Sequence, residues 1–191
     1  MAVPGQRPSA QELLTADGVA IDDLVRPGLR LLLVGINPGR HSGATGFHFG
    51  NPQNLLWRAL HQSGLTPTLL QPHATEELLS LGIGITNFVN RTTQGSNDLR
   101  AADYRAGAVE LRAKVKSLRP RAVAILTVSG YRTGFGLPNA AIGHQPEPLE
   151  GSDLWVFPNP SPINTRYPLS FLVARFSELR AAGSPDTSPP R

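Results

Sequence analysis

Three short apolar runs constrain this chain most: Leu31-Leu32-Leu33-Val34, Ala122-Val123-Ala124-Ile125-Leu126 and Leu154-Trp155-Val156-Phe157. Gly35 stops the first and Pro158 follows the last. Runs this short, without polar alternation, suit strands covered on both faces. Residues 83–87 form a weaker candidate strand. Helical periodicity fills the gaps. From 99 to 118, Tyr104, Ala108, Leu111, Val115 and Leu118 recur at spacings of four and three, with Arg105, Arg112, Lys116 and Arg119 on the solvated side. Asn51 as N-cap and Pro52 in the first turn predict a helix carrying Leu55, Leu56, Ala59 and Leu60 on one face, ended by Gly64. A short helix is expected at 76–81. Pro168 opens the last, with Leu169, Leu172, Val173, Phe176 and Leu179 turned inward. Strands alternating with helices predict an α/β fold: a three-layer sandwich with a central, mostly parallel sheet of about four strands and helices on both faces.

The chain has 191 residues, enough for one domain with a sizeable core. The expected organisation is a partly flexible N-terminal extension (1–27), an α/β domain (28–182) and a disordered Pro- and Ser-rich tail (183–191). No internal repeat is evident. Cysteine is absent, which removes disulfides, thiolate metal sites and thiol nucleophiles. No apolar run approaches the roughly 20 residues of a membrane span, and the N-terminus lacks a secretory core. A cytoplasmic location without membrane attachment is expected by elimination. The net charge of +4 permits a nucleic-acid partner without demonstrating one.

In a parallel sheet, ligands bind beyond the carboxyl ends of the strands. Two Asn-Pro turns fall there: Asn37-Pro38 after the first run and Asn159-Pro160 after the last. Proline restrains the residue before it, so each amide is aimed. Asn-Pro is also common turn punctuation. Residues 40–50 read as a long glycine-rich loop that matches neither a Walker A loop nor a dinucleotide fingerprint. If it is extended, Phe47 and Phe49 face one side, either as core packing or as a platform for a planar ligand. Asp98 precedes the long helix, where it reads as an activator of water or as an N-cap. Arg40, Arg91, Arg132 and Arg166 lie in or near rim loops and are candidate phosphate contacts. His41 and His48 lack metal-ligand spacing and are expected against DNA or solvent. Trp57 and Trp155 sit in apolar patterns and are expected in the core.

Several blocks in order resemble a known family: Gly35-Ile36-Asn37-Pro38-Gly39, Thr45-Gly46-Phe47-His48-Phe49-Gly50, Asn51-Pro52-Gln53-Asn54-Leu55-Leu56-Trp57 and Ser63-Gly64-Leu65-Thr66. They look like the mismatch-specific uracil-DNA glycosylase and thymine-DNA glycosylase family. Asn159-Pro160-Ser161-Pro162-Ile163-Asn164 is similar to that family's second motif. The resemblance covers roughly 29–180. It implies that Asn37 is the catalytic residue, holding the attacking water. It implies that Phe49 stacks on an extruded base whose edge meets the backbone of Ile36 and Gly39. Asn159 and Ser161 would lie near the flipped nucleotide. Pro162, Ile163 and Asn164 would form the wedge that fills the gap in the DNA, with Arg166 as a following DNA contact. Two departures from classical uracil glycosylases stand out: Asn37 where they have Asp, and Asn159 where they have His.

The implied activity is hydrolytic excision of uracil, from G:U mismatches above all, leaving an abasic site. Asp98 is the second catalytic candidate, because an amide is a poor base. The chain carries only two lysines, Lys114 and Lys116, both mid-helix, so a Schiff-base lyase step is not expected. No cofactor and no metal are expected. The expected partner is uracil-containing DNA, double-stranded and single-stranded, met by a monomer. A free-nucleoside N-glycosidase and a non-enzymatic nucleic-acid-binding module are the alternatives.

Overall fold

The computed structural model describes residues 7–183; of the tail expected at 183–191 only Gly183 is described, and it ends a helix, while the rest of that tail and the first six residues lie outside the described range. The apolar runs form one sheet of β1 (Leu31–Gly35), β2 (Ile83–Asn87), β3 (Ala122–Ile125), β4 (Gly143–His144) and β5 (Asp153–Val156), in the order β2-β1-β3-β5-β4. The first four strands of that order are parallel. The two-residue β4 joins the edge antiparallel, an element too short to leave a periodic signal. The helices are α1 (Ala10–Thr15), α2 (Arg40–Thr45), α3 (Leu56–Gln62), α4 (Thr75–Ser80), α5 (Ala101–Leu118), α6 (Val128–Phe135) and α7 (Leu169–Gly183).

Alternate strand residues serve opposite layers. Leu31, Leu33, Ala124, Trp155 and Phe157 pack with α3, α4 and α7. Leu32, Val34, Val123, Ile125, Leu154 and Val156 pack with α5 and α6. The three-layer sandwich therefore holds, and both tryptophans are buried in it at 7% exposure. Residues before β1 belong to the fold as well: Leu24 pairs with Ile85 in an antiparallel bridge, and Ile21 is clamped through both backbone groups by the Asn90 amide.

Three local expectations are corrected. The helix predicted from Asn51 starts at Leu56. Asn51 Oδ1 accepts from Gln53 N at 2.9 Å and Asn54 Oδ1 from Leu56 N at 3.0 Å, so these asparagines build turns instead of a cap. The loop at 40–50 contains helix α2 and is not extended, and Phe49 adopts φ 49°. Helix α6 was not foreseen, because Gly130 and Gly134 lower helix propensity. Close packing explains a glycine here. A Cβ on Gly134 would lie 2.8 Å from Tyr104 O in α5, and one on Gly107 of α5 would lie 2.2 Å from Phe88 O.

Candidate active site

Because β1 and β5 run parallel, both Asn-Pro turns reach the same rim. Asn37 and Asn159 line one cleft of about 1460 Å³, together with Ile36, Gly39, Phe49, Ser161, Pro162, Ile163, Asn164 and Arg166. Of the residues singled out by the sequence as site candidates, Arg91, Phe47 and Asp98 do not line it: Arg91 faces Asp103 and Phe47 packs edge-on against His73. Asp98 was the second catalytic candidate. It lies in a 3₁₀ turn (Ser96–Asp98) with Oδ2 accepting from Gly95 N at 3.2 Å, and its side chain does not line the cleft. Nor does it cap α5, where Asp103 Oδ2 accepts from Arg100 N.

Asn37 is fixed by its nitrogen. Nδ2 donates to Arg91 O at 3.0 Å, to Thr93 Oγ1 at 2.8 Å and to Pro38 O at 3.2 Å. A carbonyl only accepts, so the amide cannot turn the other way. The Thr93 hydroxyl spends its own proton on Gly95 O at 2.8 Å and is thereby also committed as an acceptor. Oδ1 of Asn37 takes no hydrogen bond from the described residues and remains an acceptor for a cleft ligand.

Phe49 shapes the floor. Its left-handed backbone is held by Trp57, whose Nε1 donates to Phe49 O at 3.2 Å. The ring reaches across the end of β1, where Gly35 makes room. A Cβ on Gly35 would lie 3.1 Å from Phe49 Cζ and 2.4 Å from Asn87 Oδ1.

Two residues the sequence reading did not place in this role complete the cleft. Asn87 ends β2 and is buried at 7% exposure, yet lines the cleft. His48, expected against DNA or solvent, is buried at 6% and bridges Asp22 O (3.0 Å, through Nε2) and Asn87 Nδ2 (3.3 Å, through Nδ1). The signal for Asn87 was available: a polar residue at the carboxyl end of a buried strand, on the same rim as Asn37. Burial holds the His48 imidazolium pKa below the ordinary histidine range. The unfolded chain takes up this proton near pH 6.5 and the fold resists it. Stability is therefore full above that pH and declines as pH falls below it.

The opposite lip is the β5 turn. Asn159 Oδ1 accepts from Ser161 N at 3.1 Å, and Asn164 Nδ2 donates to Asn159 O at 3.0 Å. Pro160 O accepts from Leu55 N at 3.0 Å, tying the turn to α3. This braced loop projects Ile163, whose 89% exposure is the highest of any large apolar side chain among the described residues. Arg166 stacks over the Tyr167 ring at 5.6 Å. The other rim arginines have protein partners: Arg40 is bidentate to Asp17, Arg91 faces Asp103 at 3.8 Å, and Arg132 donates to Ala140 O. Neither lysine lines the cleft, and Lys114 Nζ is held by Asp23 at 2.6 Å and Thr86 at 2.9 Å.

A cleft at the carboxyl rim of a parallel sheet, lined by Phe49 and flanked by a fixed amide and a projecting apolar chain, is the ligand position of parallel α/β proteins. Comparison with solved structures agrees at the level of fold. A candidate uracil DNA glycosylase from Methanosarcina acetivorans, solved by solution NMR, superposes with a TM-score of 0.53 at 15% identity, over 85% of this chain and 98% of that one. The family model of the uracil DNA glycosylase superfamily matches residues 23–180. The chain belongs to that superfamily, whose activity is hydrolysis of N-glycosyl bonds in uracil-containing DNA. No helix among the described residues is long and apolar enough to cross a membrane.

Proposed function

We propose that this protein is a monofunctional glycosylase that extrudes uracil from DNA and hydrolyses its N-glycosyl bond, acting best where uracil faces guanine. The observation that carries the reading is the Asn37 amide: its nitrogen is consumed by three protein acceptors, and its oxygen is left for a ligand in the cleft shared by Phe49 and Ile163.

The chemistry follows from those groups. A stacked base is out of reach and must be swung out at a cost of a few kcal/mol, least for a mismatched pair. Ile163, beside Pro162 and Asn164, enters the vacated step and offsets that cost. The freed ring stacks on Phe49. Uracil presents N3–H between two carbonyls; Asn87 matches it with an oxygen acceptor beside an N–H donor. Asn37 Oδ1 orients a water toward C1′. The water oxygen bonds C1′, the C1′–N1 electron pair departs with uracil, and the water's proton passes to the released base or to solvent. The N–H of Asn87 and the backbone at Ile36 and Gly39 stabilise the charge gathering on the leaving ring. Asn159 and Ser161 hold the sugar-phosphate beside the wedge, and Arg166 adds a phosphate contact. With no lysine in the cleft, the product is an intact abasic strand. Asp98 braces the loop at Gly95, where its replacement by Ala is expected to cost much less activity than that of Asn37.

Incubating the protein with G:U and A:U duplexes and with uracil-containing single strands, followed by hot alkali, tests this directly. Cleavage is expected in the order G:U over A:U. No alkali-labile product from any of the three would end the proposal. Truncating the wedge, Ile163→Ala, is expected to lower kcat/KM on duplex by about tenfold and leave the single-strand rate within twofold, since only the duplex requires a filled stack. Equal losses on both would reassign Ile163. A free nucleoside has no stack to fill, so the exposed Ile163 favours a polymeric substrate.

A further inference from the structure

We propose that His48 is a positioning residue that dictates which way round Asn87 presents its amide, and so commits the pocket to a uracil-type edge over a cytosine-type edge. The inference rests on the reading of the cleft as a base pocket and goes further, to the group that sets its selectivity.

Each proton assignment forces the next. Asp22 O is a carbonyl and can only accept, so His48 Nε2, 3.0 Å away, carries the ring proton. Burial disfavours a second proton on the ring. Nδ1 is then a bare acceptor, so the Asn87 atom 3.3 Å from it is the amide nitrogen. Asn87 is left with Oδ1 and its second N–H. Oδ1 sits at the end of β1, where a Cβ on Gly35 would touch it at 2.4 Å. That pair meets N3–H and the neighbouring carbonyl of uracil. Cytosine carries a bare N3 beside an exocyclic amine, the opposite pattern, and would need the amide reversed. Reversal would set Asn87 Oδ1 against the lone pair of His48 Nδ1. Preference between the two rings is therefore set through the contact of His48 with Asn87.

The same logic makes the selectivity titratable. A doubly protonated His48 would donate from Nδ1 and pull Asn87 Oδ1 toward itself, turning the NH₂ group to the base. The charged groups acting on His48 are Asp23, ahead of β1, which favours the protonated ring, and Lys114 of α5, which opposes it. Those two are paired with each other at 2.6 Å, leaving burial as the leading influence.

Three measurements test the proposal. The first is kcat/KM on duplexes with 5-fluorouracil or 5-fluorocytosine opposite guanine, chosen because fluorine makes both bases better leaving groups. His48→Phe keeps the ring volume and removes the acceptor; the preference for the uracil ring is expected to fall about tenfold, the worth of one hydrogen bond. His48→Gln supplies a donor for Asp22 O and an acceptor for Asn87 and is expected to restore the preference to within about threefold. A preference unchanged within twofold in His48→Phe overturns the proposal. Should His48→Phe fail to fold, the second measurement decides: uracil excision by wild type falls on acidification below the ordinary histidine range, whereas His48→Gln lacks that acid limb. Identical profiles overturn the proposal. The third needs no activity. ¹⁵N spectra of the wild-type imidazole are expected to show a ring protonated at Nε2 alone near pH 7.5, and a ring protonated at Nδ1 overturns it. A wild type inactive on uracil yet showing this tautomer would defeat the glycosylase reading while leaving the His48–Asn87 arrangement in place.

Discussion

Replacing Asn37 with alanine is expected to lower kcat on uracil-containing duplex DNA by about 10²- to 10³-fold, the usual cost of deleting one preorganised polar group at a reacting centre. KM should stay within a few fold, because Asn37 is assigned to the water and not to the base, sugar or wedge contacts. Two effects of the substitution need separating. The amide positions water, and it also ties the turn after β1 to Arg91 O and Thr93 Oγ1. Asn37→Asp tells them apart. A carboxylate can accept from a water but cannot donate to Arg91 O, and it is a stronger base than an amide. Activity of Asn37→Asp well above Asn37→Ala, with a lowered melting temperature, would show that the oxygen does the chemistry and the nitrogen holds the loop. Single-turnover rates on a G:U duplex read the first effect and thermal unfolding the second. Asn37→Ala at wild-type rate would remove the catalytic assignment.

Gly107→Ala should destabilise the fold by about 1–3 kcal/mol, although alanine is the better helix former. In an exposed helix the change would gain about 1 kcal/mol. Gly107 is buried, and a Cβ there would stand 2.2 Å from the Phe88 carbonyl oxygen, a backbone atom with no rotamer to give way. Overpacking against backbone outweighs propensity. For a domain of this size the melting temperature should drop by roughly 2–4 °C per kcal/mol. Phe88 follows Asn87 in the chain, so displacement of α5 also disturbs the Asn87 amide. Thermal unfolding and kcat/KM should move together. A melting temperature equal to or above wild type would show that the helix shifts without resistance.

The acid sensitivity expected from His48 adds a pH dependence to the fold itself: stability should decline as pH falls below about 6.5, where the unfolded chain takes up a proton that the folded chain resists. Chemical denaturation between pH 5 and pH 8 checks this, and His48→Gln should flatten the curve.

Much of the fold was legible because strands covered on both faces write themselves as unbroken apolar runs. The long helix was legible because Ala108, Leu111 and Val115 keep one buried stripe. Asn37 and Asn159 could be placed on one rim from sequence because parallel strands send their carboxyl ends the same way. The misread elements have different causes. Asn51 carries the chemistry of both a cap and a turn, and its oxygen takes the N–H of Gln53 two residues on, which makes the turn. Helix α6 contains glycines that argue against a helix until Tyr104 is seen against them.

The residue types and their order thus determined a parallel sheet, a rim with two asparagine-proline turns and an apolar residue in the second of them. Those properties follow from local periodicity and from proline's restraint on its neighbour, both of which act over a few residues. Tertiary structure alone decided that Asn37 must present its oxygen, that Asp98 braces a loop beside the cleft and that His48 is buried against Asn87. Each depends on which carbonyl or amide stands opposite a side chain, as Arg91 O does for Asn37 across a separation of 54 residues. Hydrogen-bond polarity is a property of pairs, and those pairs exist only once the chain has folded.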